Sequence, residues 1–108
     1  MTVEAFAKST GFKTLCMPCP DRNVDGVYIG DLLSWVMGKA ESDNVWITIM
    51  SNLNIVAVAT LADVSSIVLC EGVLLDDEVL ALAESKGINV LSTEAPAYEA
   101  AKIISGIL

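Results

Sequence analysis

The sequence has 108 residues, of which 54% are hydrophobic and only 6% aromatic, with 14 acidic residues, 6 basic residues and no histidine. A chain of this length forms one domain around one core, which must be filled mainly by Val, Ile, Leu and Ala. The formal charge of −8, without any stripe of lysine or arginine, excludes nucleic acid and anionic membranes as expected partners. We therefore expect a single domain over residues 1–108.

The first half of the chain predicts two helices and two strands. Thr2 is placed to cap a first helix that ends at Gly11, and residues 14–17 follow as a short strand. Residues 27–29 predict a second strand, after which Asp31 is a good N-cap for a second helix.

The sequence also bears on localisation. Glu4 lies in the first eight residues, where a secretory signal needs basic residues, and no apolar run is long enough to span a bilayer. We therefore expect a cytoplasmic protein.

The second half alternates between strands and helices. We expect strands over residues 45–49, 66–70 and 88–91, and helices over residues 55–62 and 76–86 and after a capping Thr93. This order predicts the α/β class, as a single layered α/β/α domain with a mainly parallel sheet of about five strands. Ligands bind beyond the carboxyl ends of such strands. Those ends are expected at residues 16–21, 30–31, 50–54, 70–72 and 92–93.

Three cysteines raise the question of metal or redox chemistry. Cys16 and Cys19 form a CxxC pair, and Cys70 also follows a predicted strand. A structural zinc or iron–sulfur site needs four ligands, so Glu71 or a second subunit would have to complete this set. The alternative is that all three are free thiols that fill apolar space.

Motifs for catalysis are incomplete. Gly38-Lys39 resembles the end of a phosphate-binding loop, but Ala40 and Leu33 stand where that loop needs a hydroxyl residue and a glycine. Without histidine, a serine or cysteine nucleophile has no obvious base. We expect no catalytic residues, no cofactor and a protein that is not an enzyme.

The segment over residues 21–34 is more informative. Gly26 and Gly30 allow unusual backbone angles or close approach, and Arg22 could hold an anionic group bidentately while Asp21 or Asp31 orients it. The alternative is an Asp–Arg salt bridge followed by an ordinary helix cap. The residues alone leave both interpretations open.

A family resemblance follows from the same segment and the strand after it. The chain resembles the DRTGG domain over nearly its whole length, through Asp21-Arg22, Gly26, Tyr28, Gly30-Asp31-Leu32-Leu33-Ser34, the strand over residues 45–49, the apolar run over residues 54–59, and residues 78–87 and 97–99. The contiguous Thr-Gly-Gly of the family is not intact, because Asn23-Val24-Asp25 precede Gly26. Leu53 also stands where many relatives carry histidine.

The resemblance implies an α/β regulatory domain that is often dimeric and is similar to the N-terminal domain of HPr kinase/phosphorylase. Fused relatives accompany CBS pairs in regulatory pyrophosphatases or precede phosphotransacetylase-type domains. Some free-standing relatives are encoded near iron hydrogenase components. The resemblance does not imply kinase activity, which belongs to a separate P-loop domain.

These observations support three hypotheses. The first is a regulatory module that binds a small anionic or nucleotide-like molecule in a cleft formed by Asp21, Arg22, Tyr28, Asp31, Thr48, Asn52 and Asn54. Gly26, Gly30 and Ser34 are further candidate ligand-binding residues. The second is a homodimeric protein-interaction subunit, an accessory to a redox complex of the hydrogenase type. The third is a metal or iron–sulfur carrier that uses Cys16, Cys19 and Cys70.

Overall fold

Five helices and five strands alternate in a computed structural model that describes all 108 residues. The sheet has the order β1-β5-β4-β3-β2, and β2 to β5 are parallel. The α/β class and the mainly parallel sheet of five strands are therefore confirmed. The elements in chain order are α1 (Val3–Thr10), β1 (Lys13–Cys16), β2 (Val27–Ile29), α2 (Leu33–Lys39), β3 (Val45–Thr48), α3 (Asn54–Ala62), β4 (Ser66–Leu69), α4 (Asp77–Ser85), β5 (Val90–Ser92) and α5 (Ala97–Ser105).

The sheet is covered on both faces. Alternate strand residues such as Trp46 and Ile67 face one core, which α2, α3 and α4 close. The residues between them, such as Ile47 and Val68, face a second core, which α1 and α5 close. Because β3 and β4 are buried on both faces, their sequences are continuous apolar runs rather than alternating ones.

Strand β1 differs from the expected parallel arrangement. It pairs with β5 antiparallel, with Lys13 opposite Ser92, and the register shifts between Thr14 and Cys16. No strand–helix unit precedes β1, so no crossover constrains its direction. The expectation that residues 16–21 lie with the carboxyl ends of the other strands is therefore wrong. They lie at the opposite edge of the sheet.

Residues 17–26, which we call the crossing segment, run along the amino ends of the parallel strands. They connect β1 at one side of the sheet with β2 at the other, a span of four strand spacings or roughly 19 Å. Backbone hydrogen bonds tie the segment to the start of α1, with Val3 N donating to Arg22 O and Glu4 N donating to Pro20 O. The side chain of Asn89 accepts from Cys19 N at 2.9 Å and donates to Cys19 O at 2.8 Å.

Two predicted helix caps differ in the structure. Asp31 lies before the N-cap of α2, which is Leu32. Thr93 does not begin α5, whose N-cap is Pro96, and its hydroxyl oxygen instead accepts from Ala95 N at 3.2 Å. By contrast Thr2 caps α1 through a hydrogen bond from Ala5 N at 3.1 Å, as predicted.

No helix is long and apolar enough to cross a bilayer.

Candidate functional site

The carboxyl ends of β2 to β5 form one edge of the sheet, which we call the carboxyl edge. Each of these strands is followed by a helix that runs back, so α2, α3, α4 and α5 all begin near this edge. Helix N-termini present free backbone N–H groups and a partial positive charge. Structurally, this is the edge at which α/β sheets bind ligands.

Asp31 is the best-anchored polar side chain at the carboxyl edge. Its Oδ1 accepts from Thr48 Oγ1 at 2.8 Å and from Ile49 N at 3.0 Å. These bonds join the end of β2 to the end of β3, and they explain why Asp31 does not cap α2. The residue is exposed, and its second carboxylate oxygen makes no hydrogen bond within the chain.

Four other predicted residues surround this carboxylate along the ends of β2 and β3. Thr48 is buried and its hydroxyl also accepts from Met50 N at 3.2 Å. Gly30 lies under the ring of Tyr28, where an added Cβ would be 3.0 Å from Cε2, and its carbonyl accepts from Trp46 Nε1 at 2.9 Å. Ser34 lies exposed in the first turn of α2.

The loop before α3 contributes two amides. Asn52 Oδ1 accepts from Asn54 N at 2.9 Å, and both side chains are exposed. No side chain caps α3 at its N-cap residue, Leu53. The structure therefore brings together Tyr28, Gly30, Asp31, Ser34, Thr48, Asn52 and Asn54 near the ends of β2 and β3.

The remaining predicted site residues lie elsewhere. Asp21, Arg22 and Gly26 belong to the crossing segment at the amino edge, so the expectation that Asp21 and Arg22 share a cleft with Asp31 and Thr48 is wrong. Gly26 has φ +76°, and its carbonyl accepts from Val45 N at the start of β3. Its Cα approaches Asn44 so closely that a Cβ would be 2.8 Å from Nδ2.

Arg22 is bound by two carboxylates at the amino edge. Its Nε donates to Asp43 Oδ1 at 3.0 Å, and its second terminal nitrogen donates to Asp63 Oδ1 at 2.8 Å and to the Asp63 carbonyl. Hydrogen bonds from Ser42 and Arg22 lower the pKa of Asp63. The Asp–Arg salt bridge weighed for this residue is present, although its acids are Asp43 and Asp63 rather than Asp21 or Asp31.

Asp43 and Asp63 were missed as important residues from sequence. Both have positive φ, at 69° and 60°, and precede β3 and β4. A non-glycine residue in this conformation is held there by its surroundings. One signal for Asp63 was available in the sequence. The apolar helix before it ends without a glycine, so another residue had to take the left-handed position at its end.

The cysteines are divided between the two edges. Cys16 Sγ donates to Ile88 O at 3.4 Å, and Cys19 lies against Gly87, both at the amino edge. Cys70 is buried after β4 at the carboxyl edge, three residues beyond the level of Cys16 or roughly 10 Å along the strand. One chain therefore does not bring the three thiols together, and no cluster of three potential ligands forms.

Burial is the main influence on two of these thiols. Burial raises the pKa of Cys16, and the negative charge of Glu84 raises it further. Burial also raises the pKa of Cys70. A raised pKa reduces the thiolate fraction at neutral pH, and the thiolate is the reactive and metal-binding form. Both thiols are therefore less ionised at neutral pH than an ordinary cysteine.

Comparisons with known proteins agree with this architecture. The structure is similar to a solved structure described as the CBS and DRTGG domains of the regulatory region of Clostridium perfringens pyrophosphatase complexed with activator, diadenosine tetraphosphate. The TM-score is 0.73 at 15% identity, and the match covers 95% of this chain but 45% of that one. No curated protein sequence matches. The family model of the DRTGG domain matches residues 21–107, and the chain therefore belongs to the DRTGG domain family.

Proposed function

We propose that this chain is a non-catalytic, cytoplasmic regulatory domain that binds a small nucleotide-like molecule beside Asp31 at the carboxyl edge. The observation that carries the proposal is the anchored carboxylate of Asp31. Two donors hold one oxygen, while the other faces solvent. A carboxylate fixed in this way is preorganised to accept hydrogen bonds from the hydroxyls of a ribose-like group.

An anionic part of the ligand would lie at the start of α3. The N-cap residue Leu53 of this nine-residue helix makes no side-chain cap, but Asn52 Oδ1 accepts from Asn54 N, and the exposed amides of Asn52 and Asn54 lie beside the first turn. A helix N-terminus stabilises a nearby negative charge. Arg22 does not serve this purpose, because its guanidinium is bound to Asp43 and Asp63 at the other edge.

The similar solved structure supports the choice of ligand class. Its regulatory region contains CBS as well as DRTGG domains and is described with a bound dinucleotide activator. Because this chain corresponds to less than half of that region, the similarity does not assign the nucleotide to the DRTGG part. It makes mono- and dinucleotides the first compounds to test.

The test is a thermal-shift and calorimetric titration with adenine and guanine mono- and dinucleotides. A ligand at 100 times its Kd stabilises by about 2.7 kcal/mol, or roughly 10 °C for a chain of this size. Asp31→Asn should abolish the response, whereas Asp25→Asn, an exposed acid at the amino edge, should retain it. The proposal is wrong if millimolar nucleotides give no shift, or if Asp31→Asn binds as tightly as the unchanged protein.

A second candidate function, self-association, is favoured by the open side of β2. Val27 and Ile29 lie on the face of the sheet that α1 and α5 cover elsewhere, and Ile49 follows β3 on the same face. All three are exposed, Ile29 to 48%. An edge strand with exposed apolar side chains is a template for pairing with a second chain.

We propose that a homodimer forms through this edge. Light scattering after gel filtration should give twice the monomer mass, and Ile29→Lys should reduce it to the monomer while Leu61→Lys, an exposed apolar residue on α3, should not. A monomeric unchanged protein would rule out the homodimer.

The accessory role in a hydrogenase-type redox complex stays a prediction, which co-purification with the components of such a complex would test.

A further inference from the structure

A second concave site lies at the other end of the carboxyl edge, where β1 begins and β5 ends. The groove has a volume of about 360 Å³ and is lined by Gly11, Phe12, Lys13, Ser92, Thr93 and Glu94. It exists because β1 is antiparallel, which places its first residue, Lys13, opposite Ser92. Strands β4 and β3 lie between it and Asp31, which follows β2.

The groove contains two opposite charges that lack partners. Four of the six cations of the chain contact carboxylates or aromatic rings, namely Lys8, Arg22, Lys39 and Lys102. Lys13 makes no such contact, and Glu94 pairs with no cation, so the two do not pair with each other. Both charges are therefore available to a ligand.

Ser92 supplies the independent sign of a ligand. The residue is 5% exposed, lines the groove, and its hydroxyl makes no hydrogen bond within the chain. The Ser92 oxygen is not among the fully buried polar atoms that lack a partner, since only Ser66 Oγ is one, so it opens onto the groove, where water or a ligand can satisfy it. A small polar molecule in the groove would provide the missing bond.

The loop that carries Glu94 is held in place. Thr93 Oγ1 accepts from Ala95 N, and Thr93 O accepts from Gly72 N at 3.0 Å. The Glu94 carboxylate lies so close to Gly72 that a Cβ there would be 2.5 Å from Oε2. The backbone that carries Glu94 is therefore fixed, and its exposed carboxylate lies over Gly72 at the rim of the groove.

We propose that this groove binds a small zwitterion of the α-amino acid type. Lys13 contacts the ligand carboxylate, Glu94 contacts the ammonium group, and the Ser92 hydroxyl bonds to one of them. A ligand without net charge is not repelled by the acidic chain, as a simple anion would be.

The experiment is a titration of the ¹⁵N-labelled full chain with glycine, L-alanine and L-serine, followed by amide chemical shifts. We expect saturable shifts at Gly11, Thr93 and Glu94 at millimolar concentrations or below. Acetate and methylammonium, which each carry one of the two charges, should bind at least tenfold more weakly at the same ionic strength. Equal binding of acetate would indicate an anion site only, and no saturable shift would indicate no site; either result overturns the proposal.

Variants separate the groove from the proposed nucleotide site. Lys13→Gln and Glu94→Gln should each weaken glycine binding at least tenfold, with amide spectra that confirm a folded chain. Lys86→Gln, which removes the other lysine without a partner, should leave the affinity unchanged. Asp31→Asn should also bind glycine normally, so failure of the nucleotide titration leaves this proposal intact. Unchanged binding by Lys13→Gln would refute it.

Discussion

Replacing Arg22 with methionine tests whether this residue stabilises the fold or serves a ligand. The guanidinium joins the crossing segment to the turns before β3 and β4, through Asp43 and Asp63. Methionine keeps much of the apolar stem but removes every hydrogen bond. The two acids would then face each other at the amino edge without the cation between them.

The size of the effect follows from exposure. The side chains of Arg22, Asp43 and Asp63 are 27%, 33% and 59% exposed, so none of the contacts is fully desolvated. A hydrogen bond to a charged group contributes about 1.5 to 3 kcal/mol when buried, whereas an exposed ion pair contributes about 0.2 to 1 kcal/mol. Each of the two ion pairs of Arg22 lies between these limits and contributes about 1 to 1.5 kcal/mol. We therefore expect Arg22→Met to lower the free energy of unfolding by about 2 to 3 kcal/mol, or roughly 10 °C in Tm.

Urea denaturation followed by circular dichroism measures this loss. Lys8→Met, which removes the exposed Lys8–Glu4 pair, should change the free energy of unfolding by less than about 0.5 kcal/mol and is the matched control. An Arg22→Met protein as stable as the Lys8 variant would refute the structural role. If it also lost a nucleotide response that the unchanged protein shows, Arg22 would have to be assigned to ligand binding.

Three further predictions concern other residues. Gly26→Ala should destabilise the fold by about 1 to 2 kcal/mol, and more than Gly11→Ala, because both have positive φ but only Gly26 lies against a side chain held by hydrogen bonds, that of Asn44; equal losses in urea would contradict the close approach. Ser66→Ala should leave stability unchanged or raise it by up to about 1 kcal/mol, because the buried hydroxyl lacks a partner; a loss above 1 kcal/mol would show a missed bond. Because the pKa of Asp63 is lower in the folded chain than its unfolded value of 3.8, the ionised carboxylate stabilises the fold above pH 3.8. This contribution is lost as the pH falls through the folded pKa. Asp63→Asn should therefore flatten the decline of stability below pH 4, and an unchanged acid transition would contradict this.

The parts of the fold that depend on local chemistry were predictable from sequence. Thr2 and Gly11 bound α1 as expected, because a hydroxyl N-cap and a glycine in the left-handed region act within one turn of the helix. The helix over α3 was also predicted despite its β-branched residues. Its face toward the sheet supplies the burial that outweighs their weak propensity.

The parts that depend on tertiary partners were not predictable. Asp31 and Thr93 are both good N-caps by residue type, but Asp31 binds Thr48 and Ile49 across the sheet, and Thr93 closes its own turn. The direction of β1 also has no local signature. That single reversal moves the crossing segment to the amino edge, and with it the arginine that the sequence placed in a ligand cleft.

Apart from the buried Ser66 hydroxyl, the polar groups described at the amino edge are bonded within the chain, whereas two at the carboxyl edge are not, and this difference supports the proposal of a site at the carboxyl edge. At the amino edge, Arg22 is bound by two acids, and the buried Asn89 makes three hydrogen bonds, to Cys19 N, Cys19 O and Ser65 O. At the carboxyl edge, Asp31 uses one carboxylate oxygen and Ser92 uses no part of its hydroxyl. A polar group that the fold satisfies stabilises the fold, whereas one left open at a concave surface has capacity for a ligand. Substitutions of Arg22 or Asn89 at the amino edge should therefore lower stability without changing binding, and conservative substitutions of Asp31 or Ser92 at the carboxyl edge should change binding more than stability.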